Sequence, residues 1–184
     1  MFKLLKKIIS VGDTTTKYPF APYEVAEDFR GKPEYDPTQC IACAACTTAC
    51  PANALTMTTN LETNERKWSI FYGRCIFCGR CEEVCPTKAI TLSQEFELAV
   101  FSKDDLFQEA VFNVVNCRVC GEPFAAKKSI DYAISLLVQT GLPKESAEQQ
   151  RPHFETCPAC KRRQNLISAP NIAVSEHLHQ EAGK

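Results

Sequence analysis

The sequence lacks a clear excess of either charge, with 21 basic against 22 acidic residues among 184. This balance, together with the absence of a basic stripe with interleaved aromatic residues, argues against nucleic-acid binding. No apolar run approaches the roughly 20 residues that a membrane-spanning helix needs. The N-terminus carries lysines but lacks the apolar region and small-residue cleavage site of a secretory signal. We therefore expect a protein of the reducing cytoplasm.

The sequence also lacks the spacing CxxxCxxC, which radical S-adenosylmethionine enzymes use to hold a cluster with an open iron site. It is instead rich in cysteine, with 12 such residues. Eight of them form two runs of identical spacing, Cys40-x2-Cys43-x2-Cys46-x3-Cys50-Pro51 and Cys75-x2-Cys78-x2-Cys81-x3-Cys85-Pro86. Each cysteine of the first run has a counterpart 35 positions later, a double match that chance does not readily produce.

This spacing is typical of bacterial ferredoxins with two [4Fe-4S] clusters. Gaps of two residues curl the chain so that three thiolates point into one hollow, and the fourth cysteine reaches across to the other cluster. We therefore predict that one cluster is bound by Cys40, Cys43, Cys46 and Cys85. The other is predicted to be bound by Cys75, Cys78, Cys81 and Cys50.

Two other uses of these eight cysteines fit the sequence less well. Zinc ribbons contain paired CxxC knuckles and not three cysteines at CxxCxxC followed by Cys-Pro. Disulfides need an oxidising compartment and usually a secretory signal. The spacing therefore favours metal binding by the reduced thiols.

The N-terminal region, residues 1–33, is predicted to form an amphipathic helix followed by an extended arm. Residues 1–11 combine an apolar face with lysines at helical spacing, and the apolar residues are Phe2, Leu4, Leu5, Ile8 and Ile9. Such a helix can lie in a membrane interface or pack on the body of the protein or a partner chain. Residues 12–39 are rich in proline and aromatic residues, and we expect them to run over a surface.

Residues 34–98 are predicted to form the cluster-binding domain. After the cysteines, each run continues into a short apolar segment, Ala54–Thr56 and Ala89–Thr91, which we expect to be a strand. Between the two runs, residues 55–59 and 66–72 are predicted to form two strands around a polar turn. Trp68, Ile70 and Tyr72 alternate onto one face of the second strand, and Trp68 is interpreted as a packing residue on that face.

Residues 99–184 are predicted to form a C-terminal tail. For residues 94–116 we expect an extended segment and then a short helix that begins near Ser102, a good N-cap. A longer amphipathic helix is predicted between Ser129, its expected N-cap, and the Gly141–Pro143 stop.

The tail contains a second metal signal, two CxxC knuckles formed by Cys117, Cys120, Cys157 and Cys160. Two separated knuckles suit a tetrahedral site with four thiolates, which leaves no open position for a substrate. We predict one structural metal there and favour zinc, with a rubredoxin-like mononuclear iron as the alternative.

The two cysteine runs, the Arg30-Gly31-Lys32-Pro33 lead-in and the cysteine-bearing tail resemble the two-cluster ferredoxin chain of formate hydrogenlyase, of the hydrogenase-3 or hydrogenase-4 type. That family is similar to the 23 kDa-type iron–sulfur chain of respiratory complex I, which shares the cluster domain but lacks the cysteines of the tail. One departure is Ala42, where the family usually has glycine. We expect alanine to be tolerated there if its φ is negative.

The resemblance implies an α+β fold with a two-[4Fe-4S] ferredoxin-like core and a non-catalytic role. The chain would relay electrons from formate dehydrogenase and its iron–sulfur partner toward the small subunit of a [NiFe]-hydrogenase, whose large subunit carries the catalytic site. It would lie peripherally on the cytoplasmic face of the inner membrane, docked to the membrane subunits. No catalytic residue is predicted.

Two other functions remain open from the sequence. The chain could be the equivalent iron–sulfur subunit of a complex I-type NADH:quinone oxidoreductase, or a free soluble ferredoxin. The long aromatic arm and the tail count against a soluble carrier, which needs neither.

Overall fold

The computed structural model describes residues 2–12 and 15–168, with side chains described as far as Asn165. Part of the expected C-terminal region, 169–184, lies outside the described residues. The helices are α1 (Phe2–Val11), α2 (Ala45–Ala49), α3 (Arg80–Val84), α4 (Lys127–Gln139), α5 (Lys144–Gln149), α6 (Arg151–Phe154) and α7 (Pro158–Ser168). The strands are β1 (Pro33–Tyr35), β2 (Leu55–Asn60), β3 (Glu65–Phe71), β4 (Ile90–Leu92), β5 (Phe107–Asn116) and β6 (Pro123–Ala126). This mixture of helices and antiparallel strands confirms the predicted α+β class.

The two cysteine runs fold in the same way, as their equal spacing predicts. Each run passes through a loop into a short helix, α2 in the first and α3 in the second, and then leads to a strand, β2 or β4. Strand β1 pairs antiparallel with β4, and β2 pairs antiparallel with β3. The predicted strands after both runs are therefore confirmed, and each belongs to an antiparallel pair.

A four-stranded sheet with the order β2-β3-β5-β6 joins the cluster-binding region to the tail. Strand β3 pairs with β5 along the whole length of β3, from Glu65 opposite Asn113 to Phe71 opposite Phe107. The sheet therefore crosses the expected boundary between residues 34–98 and 99–184. The division of the chain into three regions stays a prediction.

The segment 94–116 differs from its prediction. The short helix near Ser102 is a 3₁₀ turn, Lys103–Leu106, and the Ser102 side chain accepts a hydrogen bond from the Asp104 amide as an N-cap. The ten residues after it form strand β5, which the sequence did not predict. Strand alternation is hidden in the sequence because a polar residue, Gln108, faces inward, where its Oε1 accepts a hydrogen bond of 2.6 Å from the Tyr72 hydroxyl.

The main hydrophobic core lies between the sheet and the two cysteine runs. Trp68 and Ile70 of β3 are 0% and 1% exposed, and Leu55, Ile90 and Phe112 pack with them. The alternation of Trp68 and Ile70 onto one buried face confirms the predicted orientation of β3. The core therefore supports both cysteine runs directly.

The N-terminal arm lies against the cluster-binding region by way of its backbone. The Gly31 amide donates to the Ser93 carbonyl oxygen at 2.8 Å. A Cβ at Gly31 would collide with the backbone carbonyl of Glu95, so only glycine fits in the lead-in to β1. Helix α1 forms as predicted, but all its residues are exposed, including Phe2 and Ile9 at 88% and 75%.

The N-cap of helix α4 lies three residues before the predicted N-cap, Ser129. Ala126 is the N-cap, and the Ser129 hydroxyl lies inside the first turn and donates back to the Ala126 carbonyl at 2.7 Å. Lys128 fixes this turn, because its Nζ donates to the carbonyl oxygens of Pro37 and Thr38 at 2.8 and 3.0 Å. The predicted end of the helix is confirmed, and Gly141 has the positive φ of 102° that favours glycine.

Candidate cofactor and metal sites

The eight cysteines of the two runs line two neighbouring cavities. The first cavity is lined by Cys40, Cys43, Cys46 and Cys85. The second cavity is lined by Cys50, Cys75, Cys78 and Cys81. Each cavity thus brings together three cysteines of one run and the last cysteine of the other, the two groups that the spacing predicts.

Backbone amides point at the same cysteines in both cavities. The amide of Ala42 donates to Cys40 Sγ at 3.4 Å, and the amide of Phe77, 35 residues later, donates to Cys75 Sγ at 3.4 Å. The fourth cysteines also accept equivalent bonds, from Ala54 to Cys50 at 3.3 Å and from Ala89 to Cys85 at 3.2 Å. Such amides stabilise negative charge on sulfur, as thiolate ligands of a cluster require.

The loops that present these amides use the left-handed backbone region. Ala42 has a φ of 53° and Phe77 has a φ of 54° at the equivalent position. The condition stated for tolerating alanine at this position, a negative φ, is therefore not met. The tight CxxC loop requires this conformation in both runs, which costs a residue with a Cβ about 1–2 kcal/mol. A glycine at this position would avoid this cost.

The cavities are poorly solvated, and burial acts on the thiols. Burial raises the pKa of Cys81 to about 12, and it also raises the pKa of Cys46. A buried thiolate is therefore costly unless a positive charge compensates it. Iron ions in a cluster would supply that charge, so the donor set, the amide bonds and the shape of both cavities fit a [4Fe-4S] group.

The structure adds residues to the first cavity that the sequence reading did not place there. Tyr35 and Trp68 lie in its wall, and their rings stack with centroids 3.7 Å apart and an angle of 12° between the planes. Trp68 is a packing residue, as predicted, but it is also part of a site. No motif in the sequence marks either residue, because β1 and β3 meet this cavity from different parts of the chain.

The four cysteines of the tail converge, as predicted. The Sγ atoms of Cys117, Cys120, Cys157 and Cys160 all lie within 4.8 Å of one another. Cys120 is exposed and the other three cysteines are buried. A compact group of four thiols suits a tetrahedral metal ion.

The elements that carry these cysteines aim backbone amides at the sulfurs. Cys117 follows β5, and Gly121 closes its turn with a φ of 77° and a bond from its amide to the Cys117 carbonyl of 2.9 Å. Cys157 precedes α7, and its amide donates to Cys117 Sγ at 3.2 Å. This amide is the main cause that lowers the pKa of Cys117 to about 6. The site therefore favours at least one thiolate, the form that binds metal.

Arg66 connects the first cavity to the tail. Its Nη1 donates to the carbonyl oxygen of Ala42 at 3.4 Å, and its Nη2 donates to the carbonyl oxygen of Phe124 at 3.2 Å. Phe124, in β6, packs against the three buried cysteines of the tail, Cys117, Cys157 and Cys160. One side chain on β3 thus holds both sites in a fixed relation.

In residues 2–12 and 15–168, no helix combines enough length with enough apolar character to cross a bilayer.

Comparison with known proteins agrees with this arrangement. A family profile described as a 4Fe-4S dicluster domain matches residues 39–89. Formate hydrogenlyase subunit 6 of Escherichia coli (strain K12) is 53% identical over 180 residues, which cover 98% of this chain and 99% of that protein. The chloroplastic NAD(P)H-quinone oxidoreductase subunit I of Lotus japonicus is 41% identical over 97 residues, which cover 50% of this chain and 60% of that protein. A chain of the membrane-bound sulfane sulfur reductase, an archaeal respiratory membrane complex, is 31% identical with a TM-score of 0.41, covering 55% of this chain and 58% of that one. The protein therefore carries a 4Fe-4S dicluster domain and belongs to the family of formate hydrogenlyase subunit 6.

Proposed function

We propose that this protein is the iron–sulfur subunit of a formate hydrogenlyase and transfers electrons through two [4Fe-4S] clusters. The observation that carries the proposal is the pair of cavities, each lined by four cysteines, in a chain that matches formate hydrogenlyase subunit 6 over 98% of its length. When bound, each cluster supplies a one-electron redox centre. The protein itself supplies the ligands, the amides directed at sulfur and apolar walls that exclude water.

The proposed ligands are the two crossed sets. Cys40, Cys43, Cys46 and Cys85 hold the first cluster, in the first cavity. Cys75, Cys78, Cys81 and Cys50 hold the second cluster, in the second cavity. The convergence of each set on one cavity supports this assignment, and so do the equivalent amide bonds to the first and fourth cysteine of each run.

The path of electrons that we propose runs from formate dehydrogenase and its iron–sulfur subunit to the [NiFe]-hydrogenase small subunit. The large subunit of that hydrogenase performs the catalysis, and this chain carries no catalytic residue. We further propose that the chain lies peripherally on the cytoplasmic face of the inner membrane, beside the membrane subunits. The exposed apolar side chains of α1 support such a contact.

We propose that the tail cysteines hold one structural metal, with zinc favoured over mononuclear iron. The support is the closed group of four sulfurs within 4.8 Å of one another. A closed four-thiolate site offers no position for a substrate, and zinc is redox-inert and suited to tetrahedral sulfur ligands.

The second candidate function is that of a complex I-type iron–sulfur subunit. The similarity to subunit I of the chloroplastic NAD(P)H-quinone oxidoreductase favours it, but this similarity covers half of the chain. Formate hydrogenlyase subunit 6 matches nearly the whole chain, and this difference supports the first candidate over the second. A free soluble ferredoxin is supported least, since the match to a subunit of a larger assembly includes the arm and the tail.

The test is complementation of an Escherichia coli strain that lacks formate hydrogenlyase subunit 6. We expect this chain to restore formate-dependent hydrogen evolution, measured by gas chromatography. The Cys43→Ser variant, in which an exposed proposed ligand is replaced, serves as the inactive control. If the wild-type chain assembles with the host subunits but restores no hydrogen evolution, the proposal is wrong.

A further inference from the structure

The two cavities correspond residue by residue through the offset of 35 positions, and the correspondence includes the strands that wall them. In the first cavity, Tyr35 lies opposite Ile90, and Trp68 lies opposite Met57. In the second cavity, Ile70 lies opposite Leu55, and Pro33 lies opposite Leu92. Trp68 therefore takes the place that Pro33 has in the second cavity, and Tyr35 takes the place of Ile70.

These exchanges make the two walls chemically different. Tyr35 and Trp68 each carry a hydrogen-bond donor, whereas Ile70 and the Pro33 ring carry none. A third difference is Thr87 in the first cavity, which corresponds to Ala52 in the second. The Thr87 hydroxyl lies 3.7 Å from Cys85 Sγ. Apart from the thiols, every side-chain donor among these lining residues belongs to the first cavity.

Two of these donors are buried without a partner. Tyr35 Oη and Trp68 Nε1 have no hydrogen-bond partner among the described residues. Leaving a buried donor unsatisfied costs about 1–3 kcal/mol. Both side chains line the first cavity together with its four cysteines.

Donors beside a cluster change its reduction potential. Reduction adds one negative charge to the cluster, and an N–H or O–H dipole directed at sulfur stabilises the reduced state more than the oxidised state. The effect is strong in a poorly solvated interior. Solvent also favours a higher reduction potential in the first cavity than in the second, because Cys43 is exposed and its counterpart Cys78 is only partly exposed.

We propose that Tyr35, Trp68 and Thr87 give the first cluster a higher reduction potential than the second cluster. This inference rests on the proposed function, because it requires a [4Fe-4S] cluster in each cavity. A single electron on the protein then resides at equilibrium on the first cluster. The three side chains tune the potential and do not ligate iron.

The test is a potentiometric titration of the full-length protein, followed by electron paramagnetic resonance. Tyr35→Phe and Trp68→Phe remove the donors and keep the aromatic rings. We expect the midpoint potential of the first cluster to fall in each variant and to fall further in the double variant, with the second cluster unchanged. The signals are assigned with Cys43→Ser, which perturbs the first cluster alone.

Tyr72→Phe is the matched control. It also removes a buried tyrosine hydroxyl, but that hydroxyl donates to Gln108 Oε1 and lies 3.0 Å from the Pro33 carbonyl oxygen. We expect it to leave the potential of the first cluster unchanged. Tyr35→Phe loses a single oxygen atom, so it decides the question alone if Trp68→Phe does not assemble.

The outcomes separate this inference from the proposed function. Two intact clusters whose potentials do not respond to either variant overturn the inference and leave the two-cluster function standing. A wild-type first cluster with a lower potential than the second also overturns it. Iron and sulfide contents below those of two clusters in the wild-type protein overturn the proposed function itself.

Discussion

Replacing Cys120 with serine tests whether a metal ion holds the C-terminal tail together. Cys120 is exposed, whereas Cys117, Cys157 and Cys160 are buried. Exchange of sulfur for oxygen at Cys120 therefore removes one thiolate with the least change in packing. We expect the variant to lose the metal, because a structural site of this type needs all four ligands.

The expected consequence is unfolding of the tail, because its apolar core is small. In the apolar cluster around α4, Ile130 and Ile134 are the two large buried side chains, each 4% exposed. Burial of each contributes about 1.5–3 kcal/mol. A structural zinc site contributes about 10–16 kcal/mol of apparent binding free energy. The lost metal binding therefore exceeds the contribution of both isoleucines.

Metal content and the protection of backbone amides from hydrogen exchange would be measured on the same full-length sample. Mass spectrometry of the metals should give one zinc in the wild-type protein and none in Cys120→Ser. Hydrogen exchange should become fast in α4 and α7 of the variant, while the spectra of the two clusters persist. Val119→Ser, a change at an exposed position of the same turn, should keep both the metal and the protection.

Two results would contradict this reasoning. The first is a Cys120→Ser protein that has lost its metal and still protects α4 and α7 as well as the wild type does. The second concerns the identity of the metal. Iron beyond the eight atoms of two clusters, with no zinc and a reversible redox signal of its own, would make the tail site a third electron-transfer centre.

Three further predictions follow from single features of the structure. Cys50→Ser should damage the second cluster and spare the first, because Cys50 lines the second cavity; spectra in which the first cluster alone is lost would contradict the crossed ligands. Deletion of residues 2–11 should weaken membrane association in fractionation without changing the cluster content, since α1 is fully exposed; unchanged association would remove that role from the helix. Arg66→Met should lower the free energy of unfolding by about 1.5–3 kcal/mol, the range for hydrogen bonds to a charged group. The control Lys67→Met breaks an exposed ion pair with Glu109 and should change the free energy of unfolding by under about 1 kcal/mol. Equal effects of the two variants in chemical denaturation would refute the bridging role of Arg66.

The parts of the fold that the sequence predicts are those whose information is local. The spacing of the cysteines determines the loops and short helices of each run. The alternation of Trp68 and Ile70 predicts strand β3 and its buried face, and the apolar spacing around Ile130 predicts α4. In each case residues a few positions apart carry the whole pattern.

The parts that the sequence did not predict depend on distant contacts. Strand β5 contains a polar residue at an inward position because Gln108 meets Tyr72, and it exposes Phe107 and Val111 on the other face. Helix α4 starts before Ser129 because Lys128 contacts the carbonyls of Pro37 and Thr38, some 90 residues away. Neither of these causes can be read from neighbouring residues.

The internal repeat shows the same limit in its clearest form. The cysteines reveal the offset of 35 positions because metal ligation tolerates no other residue at those places. The offset also relates Pro33 to Trp68 and Tyr35 to Ile70, and the strand registers place these residues at equivalent points of the two cavities. No identity survives at these positions, because a wall needs only to be buried and to fit its neighbours. The two repeats are therefore identical at the positions that bind metal. They differ at the wall positions, where packing alone acts, and these differences are what allows the two clusters to have different reduction potentials.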